Sequence, residues 1–405
     1  MLALVVAGGA WLLGRDRAYV APPPAHVERS ARPGPASDVL DRLVTALRDR
    51  DAAAARSLAP AGDTAAADQL ADLATNADAL RLTDLAARYV GETGAVSSEG
   101  KWHADVELTW RVAGFDPRPV TSEVEVGFVP VGDAGAAISS VGGAVDGAEG
   151  GEGGRTPLWL VAPLQVRRTA QTLVAVDGDA AAADRFARLA RRAVPTVRRV
   201  LPWPRPRLVV EVPSTTERME QALGAAEGTY AGVAAVTASV DGSTRPGAPV
   251  HVVANPALFA GLDGAAAQLV VSHEATHVAT GAATSGSMPM WLLEGFADYV
   301  ALRDVDLPLS TTAGQVIAQV RRDGPPDHLP GPAEFDASSE GFGAAYEAAW
   351  VACRLLARLA GEDALVALHE RVQGGEPLGQ AMAVTGYDLA GFTARWQQEL
   401  EKMAR

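Results

Sequence analysis

The chain changes its hydrophobic rhythm several times, and each change marks a structural unit. After Ser37 the apolar positions Val39, Leu40, Leu43 and Leu47 recur at helical spacing, and Ser37 or Asp38 is suited to cap the helix they predict. A second helical stretch is expected over 64–75. Beyond Gly91 the period falls to two. Trp102, Ala104, Val106, Leu108, Trp110 and Val112 alternate with polar residues, which predicts a half-buried strand, and 121–131 alternates likewise through Val124, Val126 and Phe128. The glycine-rich stretch 142–155 is expected to be a turn or loop, followed by strands over 158–166 and 172–176. Helices followed by antiparallel strands predict a small α+β domain over 37–177.

A second domain, 178–405, opens with an amphipathic helix after Asp179, broken or kinked at Pro195, whose arginines (Arg185, Arg188, Arg191, Arg192, Arg198, Arg199) share a face. That face reads first as ordinary solvated surface. Strands are expected at 207–212, 231–236 and 250–254, and from Asp263 onward the chain reads as almost entirely helical.

The N-terminus follows neither rhythm. Met1 to Gly14 is uncharged and apolar, shorter than the ~20 residues of a membrane span and close to a signal-peptide core. No basic residue precedes it, as if it were the tail of a longer anchor helix. Residues 1–20 are thus expected to be a signal or anchor segment, and the proline-rich 21–36 a spacer. This predicts a protein tethered to a membrane or secreted, with its folded part extracytoplasmic. Arg15 and Arg17, which follow the apolar run, taken alone argue for the opposite orientation.

Composition narrows the function. Of 405 residues, 48% are hydrophobic and 21% charged, enough to build a core. Asp plus Glu number 49 against 35 Lys plus Arg, a net charge of −14 that disfavours nucleic acid as a partner. Cys353 is the single cysteine, so no internal disulfide or cysteine-built metal cage can form.

The chemistry concentrates at His273-Glu274-Ala275-Thr276-His277, within a helical stretch over 264–280. Residues four apart lie on one helix face, so both imidazoles can address one ion, and imidazole nitrogen suits zinc. Glu274 lies beside the first histidine, where a general base for water belongs. Two histidines one turn apart also occur on helices without metal, so a third ligand is required. The apolar segment MWLLEGFADY supplies Glu294, with Asp298 one turn later on the same side. Carboxylates on an apolar helix need neutralising partners. Glu294 is assigned as third zinc ligand, and Asp298 as the acceptor for a ligating histidine's free N–H. Gly295 would let the two helices approach closely.

The pairing HEATH with WLLEGFADY resembles the gluzincin metallopeptidases, above all their peptidase-MA-like domains and, more distantly, thermolysin-like and aminopeptidase-N-like enzymes. The strict motif covers about 268–300, and the looser likeness roughly 179–405. The resemblance implies a zincin-like second domain with a largely helical C-terminal part. It also implies one Zn2+ held by His273, His277 and Glu294, with Glu274 as base, and a peptide or protein substrate. Sixteen residues separate His277 from Glu294, near but not identical to the spacing of aminopeptidase-N-like enzymes. The GxMEN motif of the exopeptidases is absent, which favours cleavage within chains or of very small substrates. Relatives often hold the oxyanion with a tyrosine or histidine beyond the third ligand, a role Tyr346 would fill; a packing role fits Tyr346 equally. His328 and His251 are weaker candidates. The 250–254 strand would be the edge along which such enzymes bind peptide. The first domain is similar in order of elements to the cone-shaped nuclear-transport-factor-like fold, which implies a spacer or ligand-holding unit. Two other functions fit the same residues: a non-catalytic zinc- or partner-binding cell-surface protein, and a metal-dependent amidase acting on cell-wall material.

Overall fold

The computed structural model describes residues 30–142, 154–284, 288–336 and 339–405. The expected anchor segment 1–20, most of the spacer and the core of the glycine-rich stretch (143–153) lie outside them. Among the described residues no helix is long and apolar enough to cross a membrane. Among the described residues the fold is mixed α+β, with two sheets.

The first unit begins with α1 (Pro33–Asp49), α2 (Ala52–Arg56) and α3 (Thr64–Leu80). Helix α1 starts four residues before the expected cap. Proline, whose missing N–H is harmless in a first turn, opens it. The sheet is an antiparallel meander in chain order: β1 (Leu82–Thr93), β2 (Trp102–Val112), β3 (Val120–Val131) and β4 (Gly135–Val141). Trp102 pairs with Phe128 across β2 and β3, and their rings stack at 5.3 Å. Leu40 and Leu43 of α1, Leu70 and Leu73 of α3, and Trp110 complete a core in which each large side chain contributes about 1.5–3 kcal/mol of burial. The expected strand over 158–166 is instead a helical turn, α4 (Leu158–Val161), followed by the short β5 (Gln165–Arg168). The turn presents Trp159 to the first core, and Asn76 of α3 ties it down through the carbonyls of Trp159 and Ala162.

The second sheet runs β5–β6–β7–β9–β8, with β6 (Thr172–Val176), β7 (Leu208–Val212), β8 (Ala235–Ser239) and β9 (Val250–Ala254). Strands β6, β7 and β9 are parallel, while β5 and β8 run antiparallel at the edges. The sequence reading groups β5 and β6 with the first unit; hydrogen bonding places them in the second sheet. The cause is a shared surface. Leu173, Ala175 and Val209 face the first core, while Val174, Val176 and Val210 face the second, so β6 is buried throughout.

Helix α5 (Ala180–Arg198) carries the chain from β6 to β7 and continues unbroken past Pro195. Proline there removes only one bond of the last turns. After α6 (Thr216–Leu223) and β9, every described element is helical: α7 (Pro256–Gly261), α8 (Gly264–Thr280), α9 (Met290–Leu302), α10 (Leu309–Thr312), α11 (Gly314–Asp323), α12 (Phe342–Ala360), α13 (Glu362–Gln373), α14 (Leu378–Ala381) and α15 (Leu389–Ala404), with two 3-10 turns. The second core joins α5, α8, α9 and α12 to the sheet through Phe186, Val271, Phe296 and Leu356.

Candidate metal centre

Helix α8 is well delimited. Asp263 caps its start, accepting from the amides of Ala265 and Ala266 at 2.9 and 2.8 Å, and Gly281 ends it in the left-handed region at φ 72°. One face joins the second core through Ala267, Val271 and Ala275. His273 and His277 project together toward α9, with ring centroids 4.6 Å apart. Helix α9 presents Glu294 and Asp298 to them.

The donor atoms of His273, His277 and Glu294 all lie within 4.8 Å of one another, and the three residues are able to hold a metal ion. The two Nε2 atoms are 2.9 Å apart, and Glu294 Oε2 lies 3.1 Å from one and 3.4 Å from the other. Ligands at ~2.1 Å from a tetrahedral ion would stand roughly 3.4 Å apart, so the set fits such an ion with small adjustment. Asp298 Oδ1 accepts from His273 Nδ1 at 2.8 Å, which leaves His273 Nε2 to face the cluster.

Electrostatics agree with the geometry. Burial alone would lower the His273 pKa, but Asp298 and Glu294 outweigh it and raise it well above the ordinary value. Burial would raise the Glu294 pKa, yet His277 and His273 hold it far below the usual carboxylate range. The centre therefore keeps a buried carboxylate ionised beside two imidazoles, which suits a cation.

Glu274 is buried next to the cluster, and its partner was invisible in the sequence. Thr237, on the edge strand β8, donates its hydroxyl to Glu274 Oε2 at 2.6 Å and lies 3.2 Å from the Glu274 carbonyl oxygen. Strand β8, not β9, is the edge beside this helix; β9 is interior between β7 and β8, which corrects the expected peptide-binding edge.

Tyr346, in the first turns of α12, also reaches the centre. Its ring lies 6.2 Å from that of His273, and the Glu294 carboxylate is close enough to act on its hydroxyl electrostatically. Phe335 and Phe342 hold it edge-on at 4.9 and 5.1 Å. Burial first, and then the carboxylates of Glu294, Asp298 and Glu274, push its pKa upward and keep the phenol protonated as a donor. Gly295 makes this placement possible, though at a different contact from the one expected. A Cβ there would stand 2.3 Å from the Ala349 carbonyl oxygen, so the glycine brings α9 against α12 rather than against α8.

The other histidines divide. His369 of α13 is buried and stacks on Phe296 at 4.3 Å; burial, with a smaller contribution from His277, pulls its pKa down to about 4. Nothing in the sequence pattern singled it out. His328 is exposed, donates Nδ1–H to the Leu329 carbonyl at 3.0 Å, and lines a separate cavity of about 280 Å³ with Pro326, Pro330 and Ala344. His251 does not join the cluster. It is buried between Glu211 Oε1, 2.6 Å from Nδ1, and Asp116 Oδ1 of the first unit, 3.0 Å from Nε2. No protein-family model matches the chain, and no curated protein matches it.

Proposed function

We propose that the chain is a zinc-dependent metallopeptidase of gluzincin type. One observation carries this reading: His273, His277 and Glu294 converge from two helices to ligand spacing, with Glu274 beside them and oriented by Thr237. The donor set of two imidazoles, one carboxylate and no thiolate suits a catalytic rather than a structural zinc. Bound zinc supplies Lewis acidity, acidifying water and polarising a peptide carbonyl. Glu274 takes the proton of the attacking water and returns it to the leaving nitrogen. Tyr346 offers its hydroxyl to the carbonyl oxygen as charge develops there. Asp298 keeps His273 in one tautomer. The apolar Met1–Gly14 stretch makes an extracytoplasmic, tethered location the natural setting for this chemistry.

Full-length protein tests the reading directly. One zinc per chain is expected in the wild type, strongly reduced by Glu294→Ala. Glu274→Gln is expected to retain zinc and lose roughly 10²–10⁴-fold in turnover of a peptide library. A zinc-loaded wild type that cleaves no peptide would sink the proposal.

A further inference from the structure

The chain carries a net charge of −14, yet its basic residues are unevenly spread. Eight arginines fall between Arg185 and Arg207, and no acidic residue lies between Asp184 and Glu211. Helix α5 spends one stripe on the core through Ala183, Phe186, Ala190, Val194 and Val197. Its opposite stripe exposes Arg188, Arg191, Arg192 and Arg198. The connection to β7 then exposes Arg205 and Arg207, with Trp203 half-buried between two prolines.

The fold uses only two of the eight internally. Arg185 Nη2 donates to the carbonyls of Phe259 and Leu262, each at 3.1 Å, and Arg199 pairs with Asp304. Asp184 is the nearest acidic group on the helix; Arg167 pairs with it at 2.6 Å, and Arg188 and Arg191 act on its carboxylate only from beyond contact. Among the described residues, the guanidinium groups of Arg188, Arg191, Arg192, Arg198, Arg205 and Arg207 make no hydrogen bond or ion pair with the protein. Six exposed cations without a partner in the protein gain no ion pair from the fold, which leaves them free for an anionic surface.

We propose that the outer face of α5 and the 202–207 connection form a docking surface for the anionic phospholipid headgroups of a bilayer. Charge complementarity is the first argument, since guanidinium forks pair with phosphate oxygens. The shape of the patch is the second. A convex helix face meets a plane, whereas a polymer strand is tracked by a groove. The third is Trp203, which packs one side on the second core and leaves an amphipathic ring edge at headgroup depth among the arginines. The sequence separately carries the apolar Met1–Gly14 stretch, suited to hydrocarbon. Hydrophobic and electrostatic attachment reinforce each other, and a face-down α5 would fix how the rest of the molecule stands on the membrane. This surface is independent of the peptidase reading.

Co-sedimentation of full-length protein with vesicles tests it. One set is phosphatidylcholine alone; the other carries about one third phosphatidylglycerol. The first reports the apolar segment, and the difference between the sets reports the arginine face. The wild type is expected to prefer the anionic vesicles, and to lose that preference at high salt. The triple variant Arg188→Gln/Arg191→Gln/Arg192→Gln is expected to lose about 100-fold in the anionic increment while binding neutral vesicles as before. These side chains are exposed, and an unchanged thermal melt confirms folding; if the triple variant melts early, Arg192→Gln alone is expected to lose about 5-fold. Equal anionic preference in wild type and folded variant would overturn the proposal, as would no preference in the wild type. Binding of soluble polyphosphate or RNA without an anionic-vesicle increment would overturn it too, in favour of a polymer.

Discussion

The hydroxyl of Thr237 stands 2.6 Å from Oε2 of Glu274, a contact between the edge strand β8 and the helix that carries both histidines. One residue along, Ala238 pairs with His251 of β9, and His251 is clamped to Asp116 of the first unit. The proposed base is therefore held by a strand that is itself registered against the interface between the two units.

That contact makes Thr237 a positioning residue. Thr237→Val preserves shape and removes the donor, which frees the Glu274 carboxylate to rotate. A hydrogen bond to a charged group contributes about 1.5–3 kcal/mol, so kcat is expected to fall roughly 10- to 100-fold with zinc content unchanged. Thr237→Ser is expected to restore most of the activity. Steady-state kinetics beside metal analysis checks both, and a fully active valine variant would refute the role.

Asp298 stands one step behind the proposed ligands, accepting from His273 Nδ1. Asp298→Ala leaves His273 free to rotate and to present the wrong nitrogen. Zinc affinity is expected to weaken about 10- to 100-fold, measured by competition with a chromophoric chelator. Asp298→Asn can still accept from Nδ1 and is expected to fall between the two.

The candidate metal cluster was legible in the sequence because a helix converts spacing into direction: residues four apart face one way, and two such pairs, His273/His277 and Glu294/Asp298, lie on neighbouring helices. Strand β2 was legible for the corresponding reason at period two. What failed to show was long-range. Strand β1 was missed because register shifts between Thr83 and Ala86 and between Tyr89 and Gly91 break its alternation, leaving Leu85 as its one fully buried apolar residue. Strand β6 was assigned to the wrong sheet because a strand buried on both faces carries no sign of which core it serves. Thr237 carried no signal either, since a lone threonine on a short strand is ordinary until the fold sets it beside Glu274.

Gly295→Ala tests the packing that delivers Tyr346. The added Cβ would meet the Ala349 carbonyl oxygen at 2.3 Å and its carbon at 2.5 Å, both backbone atoms that cannot swing aside. Helices α9 and α12 must then separate, and overpacking of this kind costs about 1–3 kcal/mol. A lower urea midpoint is expected. So is a loss of turnover, because Glu294 and Tyr346 sit on the two helices being pushed apart.

His251 yields a prediction with a definite pH sign. Burial alone would lower its pKa, but Asp116 and Glu211 outweigh that and raise it to about 10, against 6.5 in an unfolded chain. A group whose pKa is raised on folding stabilises fully below its unfolded value and stops doing so as pH rises through its folded value. The stability this clamp contributes is therefore complete at pH 6, falls progressively above about pH 6.5 and is gone a little above pH 10. His251→Gln cannot carry the charge and leaves Asp116 and Glu211 facing each other across a neutral amide. It is expected to be less stable than wild type at pH 6, where wild type has its full advantage. That gap in urea midpoint is expected to shrink steadily from about pH 6.5 toward pH 10, because the unfolded imidazole then gives up the proton that the folded one retains. A gap independent of pH over this range would show that His251 holds the units together by shape alone, without its charge.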